Sequence, residues 1–190
     1  MTASDFREPE WAGPLDLQER LEAAPEAAMM KGMFFEQVRE TMGERAEDVD
    51  PGGHYASFRD YPMERWLRFV HDAAVQVFPD FPPKRAVFEL ARPTFERFKA
   101  SLLGRVIFTG STFEDSMLAM TKAYRRTSDV ARCEIVELEQ ERAVLELRGC
   151  WDFPHWHVGL MHGGLHTFGK HGHVLMRTHS LSDFDLELRW

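Results

Sequence analysis

Cysteine is scarce. Only Cys133 and Cys150 occur in 190 residues, too few to staple a small secreted scaffold, so the fold has to rest on a hydrophobic core. Long apolar runs are missing too: nothing approaches the roughly 20 consecutive apolar residues a membrane-crossing helix requires. The first eleven residues carry Asp5, Glu8 and Glu10 and no basic stretch leading into an apolar one. No secretory signal is therefore expected, and a cytoplasmic location is. Basic charge is in deficit, with 23 Lys and Arg against 31 Asp and Glu and a formal net charge of −8. A nucleic-acid partner is not expected, because affinity for phosphate backbones comes from neutralising their charge. The common catalytic signatures are absent as well. There is no Gly-x-Gly-x-x-Gly, no Gly-x-x-x-x-Gly-Lys-Ser/Thr, no Gly-x-Ser-x-Gly and no Cys-x-x-Cys. No catalytic residue is assigned, and the chain reads as a non-enzyme.

What is present is a folded composition. Hydrophobic residues make up 44% of the chain and 15 are Phe, and this length suits one domain burying roughly 70% of its unfolded surface. Residues 1–30 hold seven acidic and two basic side chains broken by Pro9, Pro14 and Pro25. They read as an acidic arm with a short docking helix over Leu15–Glu22. Residues 31–190 read as a single α+β ligand-binding-like domain. Phe34, Val38 and Met42 predict a helix ended by Gly43, and Glu44–Tyr61, with Asp50-Pro-Gly-Gly53, predicts a surface loop. Trp66, Phe69, Val70, Ala73 and Val77 predict a core helix stopped at Phe78-Pro79. Val87 to Leu103 keep a helical period that Pro93 kinks or divides. Ser111-Thr-Phe-Glu114 has the form of a capping box before a helix carrying Phe113, Met117, Met120 and Tyr124 inward.

After Asp129 the period changes from helical to alternating. Arg132–Leu138 and Ala143–Cys150 predict a hairpin, with Val136 and Leu138 sharing a face with Leu145 and Leu147 and the two cysteines on the other. Pro154 opens a helix to about Phe168, closed by Gly169. A second hairpin ends in Phe184, Leu186, Leu188 and Trp190 alternating with Asp185, Glu187 and Arg189. The fold class is α+β: a helical N-terminal two-thirds followed by a small antiparallel sheet made of two hairpins with an intervening helix.

Histidine is the one enriched residue of chemical interest, with seven of nine between His155 and His179. On a helix His155, His162 and His166 share a face, and His162 and His166, four apart, have the spacing for two imidazoles on one metal. The competing account is a helix edge on which Gly159, Gly163 and Gly164 admit a close neighbour. His173 and His179 fall on the outer face of a strand, and His71 in the core helix is the lone candidate for an axial haem ligand. Lys122, Arg125, Arg126 and Arg132 form a basic patch read as a solvated helix end.

Several motifs also occur in order: Lys31-Gly-x-Phe-Phe35, Tyr61-Pro62, Phe78-Pro79, Leu103-Gly104-Arg105, Pro154-x-x-x-x-Gly159-x-x-x-Gly163-Gly-Leu165-x-x-x-Gly169 and a final Trp190. From about Leu15 to Trp190 the chain resembles a paralogous myxobacterial family of roughly 200-residue proteins, domain of unknown function 2378. It is distantly similar to the superfamily of haem nitric-oxide-binding domains, four-vinyl-reductase domains and TRAPP subunits. That resemblance implies helices before a small sheet enclosing an apolar pocket, with ligand sensing or dimeric scaffolding as the role. The Tyr-x-Ser-x-Arg motif by which haem-binding members hold propionates is absent, so haem is not expected. The leading expectation is a cytoplasmic sensory or scaffolding module binding a small apolar ligand or a protein partner, with a homodimer foreseen. The alternative is a divalent-metal protein using His155, His162 and His166.

Overall fold

The computed structural model describes residues 5–101, 104–105, 108, 112–127 and 130–190. Leu102, Leu103, Ser111 and Asp129, which entered the readings above, lie outside them, as do the side chains of Arg125 and Arg126. The α+β class holds, with helices mostly ahead of the strands.

Helix α1 (Leu17–Ala23) lays Leu17 and Leu21 on the helical core. Strand β1 (Met29–Lys31) runs into α2 (Gly32–Met42), which ends at Gly43 with φ +60°, a conformation open to glycine. The segment predicted as a surface loop is more tightly held than its polarity suggests. It contains a short helix, α3 (Ala46–Val49), and a strand, β2 (Asp60–Pro62), which pairs antiparallel with β1. Within it Tyr55 is buried, stacks on Phe35 with ring centroids 4.2 Å apart, and donates its hydroxyl to Asp50 at 2.8 Å. The aromatic ring outweighs the surrounding charge.

Helix α4 (Met63–Val77) buries Trp66, Leu67, Phe69 and Val70. Helix α5 (Pro83–Ala100) continues unbroken through Pro93, where the sequence predicts a kink or a division. The lost N–H is tolerated because α5 is packed along its length against α7 (Pro154–Thr167). Helix α6 (Phe113–Thr127) starts one residue later than the predicted box: Thr112 Oγ1 accepts the Asp115 N–H at 3.1 Å and donates to the Asp115 carboxylate at 2.9 Å.

Four antiparallel strands, β3 (Arg132–Glu139), β4 (Arg142–Arg148), β5 (His173–Thr178) and β6 (Phe184–Arg189), lie in the order β3-β4-β6-β5. Each hairpin closes locally, as the sequence predicts, and pairing of β4 with β6 joins them into one sheet. The facing of the first hairpin differs. A bulge between Ile135 and Glu137 places one extra residue in β3 and resets its alternation. Cys133 therefore pairs with Leu147 on the core face, both buried, while Val136 is 47% exposed. Cys150 is buried too.

Two clusters make up the interior, one among α2, α4 and the first half of α5, the other between α6, α7 and the inner face of the sheet. Helices α5 and α7 contribute to both and form the wedge between them. That is why α7 is buried almost all round its first turns: His155, where the sequence suggests a helix edge, is buried, as is His157, while His162 is half-buried and His166 exposed.

Candidate functional site

A narrow cavity of about 60 Å3 lies where the two clusters meet. Met29, Met30, Phe34 and Met63 line it from the helical side, and Tyr124, Cys150, Trp151, Asp152, Trp156 and Leu160 from the other. Its polar end comes from the connection between β4 and α7. Gly149 turns there with φ +65°, so close to Val130 that a Cβ would meet the Val130 carbonyl oxygen at 2.5 Å. The chain then places Asp152 inward just before Pro154 opens α7.

Asp152 begins a buried hydrogen-bonded chain. His157 Nε2–H donates to Asp152 Oδ1 at 2.6 Å, and the Tyr124 hydroxyl donates to His157 Nδ1 at 3.0 Å. With the carboxylate taking one ring proton, the other nitrogen is the acceptor. Arg20, 2% exposed, reaches in from α1 and donates to the carbonyl oxygens of Asp152 at 3.0 Å and Leu181 at 2.5 Å. Burial drives the phenol of Tyr124 well above its ordinary range, pushes the Cys133 thiol up to about 12, and raises Cys150 further. Thiols held protonated are poor nucleophiles.

The structure separates the histidine stripe. His155 sits at the start of α7 under the N-terminal arm, with Nε2–H donating to the Glu10 carbonyl at 3.0 Å and Trp11 against its ring. Burial lowers it to about 4. His162 and His166, two and three turns further on, line a different cavity. Seven residues of helix put about 10 Å between His155 and His162, too far for one metal ion. Among the described residues no three His, Cys, Asp or Glu side chains form a metal-ligating group. The glycines do what the competing account requires: a Cβ on Gly159 would lie 2.5 Å from the Phe88 carbonyl oxygen, and one on Gly163 2.1 Å from that of Arg92. His71 lies at the edge of α4 beside Asp72, at 2.9 Å, and His173 and His179 project outward as predicted.

Sequence reasoning missed Asp152, His157 and Arg20. The only signal for the first two was a histidine opposite the stripe, five residues after an aspartate at a helix start; an arginine in an acidic arm gave none.

This fold, helices ahead of a four-stranded antiparallel sheet, is similar to that of solved H-NOX domains. One such domain, from work on haem distortion in the H-NOX family, matches with a TM-score of 0.68 and 14% identity, over 85% of this chain and 95% of that chain. The Fe(II) unliganded H-NOX protein of K. algicida matches with 0.63 and 13%, over 84% and 96%. An H-NOX mutant of T. tengcongensis matches with 0.62 and 13%, over 84% and 97%. At such identities the likeness establishes the fold alone. The chain belongs to the family described as protein of unknown function, DUF2378, whose model matches residues 24–190. A search of curated proteins finds no match.

Haem is named for the first of these neighbours, so the expectation against haem, which rested on one missing motif, gains no support from the likeness. The junction as it stands does not fit the group. The junction cavity, at about 60 Å3, is well below the roughly 300–1,000 Å3 of sites for drug-sized ligands. The interior histidine beside it, His157, has both ring nitrogens in hydrogen bonds.

Proposed function

We propose that this protein is a non-enzymatic sensory module whose junction cavity takes a small apolar molecule, with occupancy read out by a protein partner or a second copy. The observation that carries it is the cavity itself, mostly apolar, bordered by Tyr124 and Asp152, the two ends of the chain through His157, and set between two separately packed halves. A ligand there touches both halves, so it biases how they pack against each other. The volume fixes the size class. An engineered cavity of roughly 150 Å3 accepts benzene, so a ligand smaller than benzene enters as the walls stand and a larger one has to part the halves. Thermal denaturation across a library of small apolar compounds tests the reading. Stabilisation of the native chain that disappears in Leu160→Trp, which fills the cavity, is expected; a library with no stabilising member counts against it.

A second reading, haem in a widened junction, is favoured by the H-NOX fold. Absorption spectra of the chain titrated with haemin test it: a saturable shift of the Soret band at one equivalent supports haem, and free-haemin spectra throughout exclude it.

A further inference from the structure

Strand β5 stands at the edge of the four-stranded sheet, and the N-terminal arm lies along it. Arg7 bridges antiparallel to Met176: its N–H donates to the Met176 carbonyl at 3.1 Å, and the Met176 N–H donates to the Arg7 carbonyl at 2.8 Å. Beyond the bridge Trp11 packs on α5 and α7, against Phe88 with ring centroids 4.9 Å apart and against His155. The seat is built within residues 24–190, the span of the family model, and these arm residues lie outside that span. The arm fits the seat incompletely. Alternate residues of an edge strand turn their backbone groups to the same side, so Val174 faces the arm as Met176 does. The register of the bridge sets Pro9 opposite Val174, and proline has no N–H to give its carbonyl. Among the described residues the two bonds at Met176 are the only backbone bonds between arm and strand. Two cavities remain against the arm, one of about 210 Å3 lined by Pro9, Trp11 and Val174, the other of about 220 Å3 lined by Glu10 and Thr178.

Charge selects the class of occupant. On α5, Arg85 and Arg92 share one carboxylate, Glu89, while the partner of Lys84 is Glu10 of the arm itself, at 3.5 Å. On the sheet Arg177 is met by Asp185, and on α1 Arg20 by Asp16. With the arm removed, the cations of the seat exceed its carboxylates before any histidine is counted. The arm answers with Asp5, Glu8 and Glu10 against a single Arg7. We propose that the β5 edge and the adjoining face of α5 and α7 dock an acidic extended segment of a partner protein. The segment adds a strand beside β5, the backbone giving affinity, and sets an aromatic ring where Trp11 lies, the ring and the carboxylates giving specificity. The arm is its intramolecular stand-in, and it keeps the edge covered when the partner is absent. The proposal does not depend on the junction cavity.

The probe is a fluorescein-labelled peptide of residues 5–12 carrying Pro9→Val, titrated with the full chain by fluorescence anisotropy. Saturable binding is expected, and it should be about fivefold or more tighter in the full-chain variants Trp11→Ala and Arg7→Pro, whose own arms are loosened. Restoring proline in the peptide should weaken binding about threefold or more, because one backbone bond is lost. Glu8→Lys with Glu10→Lys in the peptide should do the same. Leu160→Trp, in the junction cavity, should leave binding unchanged. No saturable binding to the loosened variants, affinity that does not rise on loosening, equal affinity for the proline or the lysine peptide, or loss in Leu160→Trp each overturns the proposal. A native dimer that Trp11→Ala dissociates, read by light scattering, assigns the seat to the arm of a second copy and overturns it too. If Trp11→Ala fails to fold by circular dichroism, Arg7→Pro, at an exposed position, decides the matter.

Discussion

Gly163 lies so close to the carbonyl oxygen of Arg92 that a Cβ built on it would stand 2.1 Å away. Helices α5 and α7 meet there backbone to backbone. Gly163→Ala must push the helices apart and should destabilise the protein by about 1–3 kcal/mol, despite the roughly 1 kcal/mol that alanine gains over glycine in a helix. Gly164→Ala, whose Cβ would meet the Phe95 ring at 3.3 Å, is the control with the smaller loss. Urea denaturation midpoints of the two variants distinguish them; equal midpoints would remove the close approach as a requirement.

The N-terminal arm is tied down by a histidine that folding keeps neutral. Burial lowers His155 to about 4 from an ordinary value of 6.5, and the bond to Glu10 offsets only part of that. The unfolded chain therefore binds the proton first as pH falls, and stability drops between about pH 6.5 and 4, by up to about 3 kcal/mol. His162, also lowered mainly by burial, adds to the same window. His155→Gln keeps a donor for Glu10 and removes the titration, so its stability should vary less with pH there. An unchanged slope in equilibrium denaturation would contradict the assignment.

The outer face of the sheet hides two carboxylates. Asp185 and Glu187 are both 0% exposed. Arg148, Arg177 and His179 donate to Asp185 at 2.6–2.9 Å, while Arg142 and Arg189 hold Glu187. Burial alone raises both acids, and these bonds more than offset it, so both titrate below their ordinary values. Their contribution is present above the ordinary carboxylate range and is lost as pH falls through the lower folded values. That window lies beneath the His155 window. Asp185→Asn leaves the cations without a counter-charge and should cost about 2–4 kcal/mol at pH 7, read from thermal or urea unfolding; a cost under about 0.5 kcal/mol would show the network to be ornamental.

Much of this fold is legible in local patterns. The alternation in Phe184–Arg189 and the spacing of Trp66, Phe69, Val70 and Ala73 each depend on neighbours a few residues away, and the structure follows them. The misreadings arise where distant parts decide. The parity of β3 turned on a single bulged residue, Val136. The loop around Tyr55 is fixed by Phe35, twenty residues earlier in the chain. The histidine stripe looked like a metal site because helical spacing alone brings His155 in line with His162 and His166; Glu10 and Trp11, from the arm, claim the first of them. The junction cavity was foreseen as a class of feature, between helices and sheet. Its polar end joins Tyr124, Asp152 and His157 with Arg20 nearby, contributed by three separate elements and the turn before α7, and no local period records that.

The central claim is a ligand cavity between the two halves. Xenon, apolar and near the size of the cavity, is the most direct probe, because it binds dry apolar cavities. A crystal structure under xenon pressure should show an ordered atom bounded by Met30, Phe34, Trp156 and Leu160, absent in Leu160→Trp. Xenon found only elsewhere, or no ordered atom in the native protein, would contradict the account.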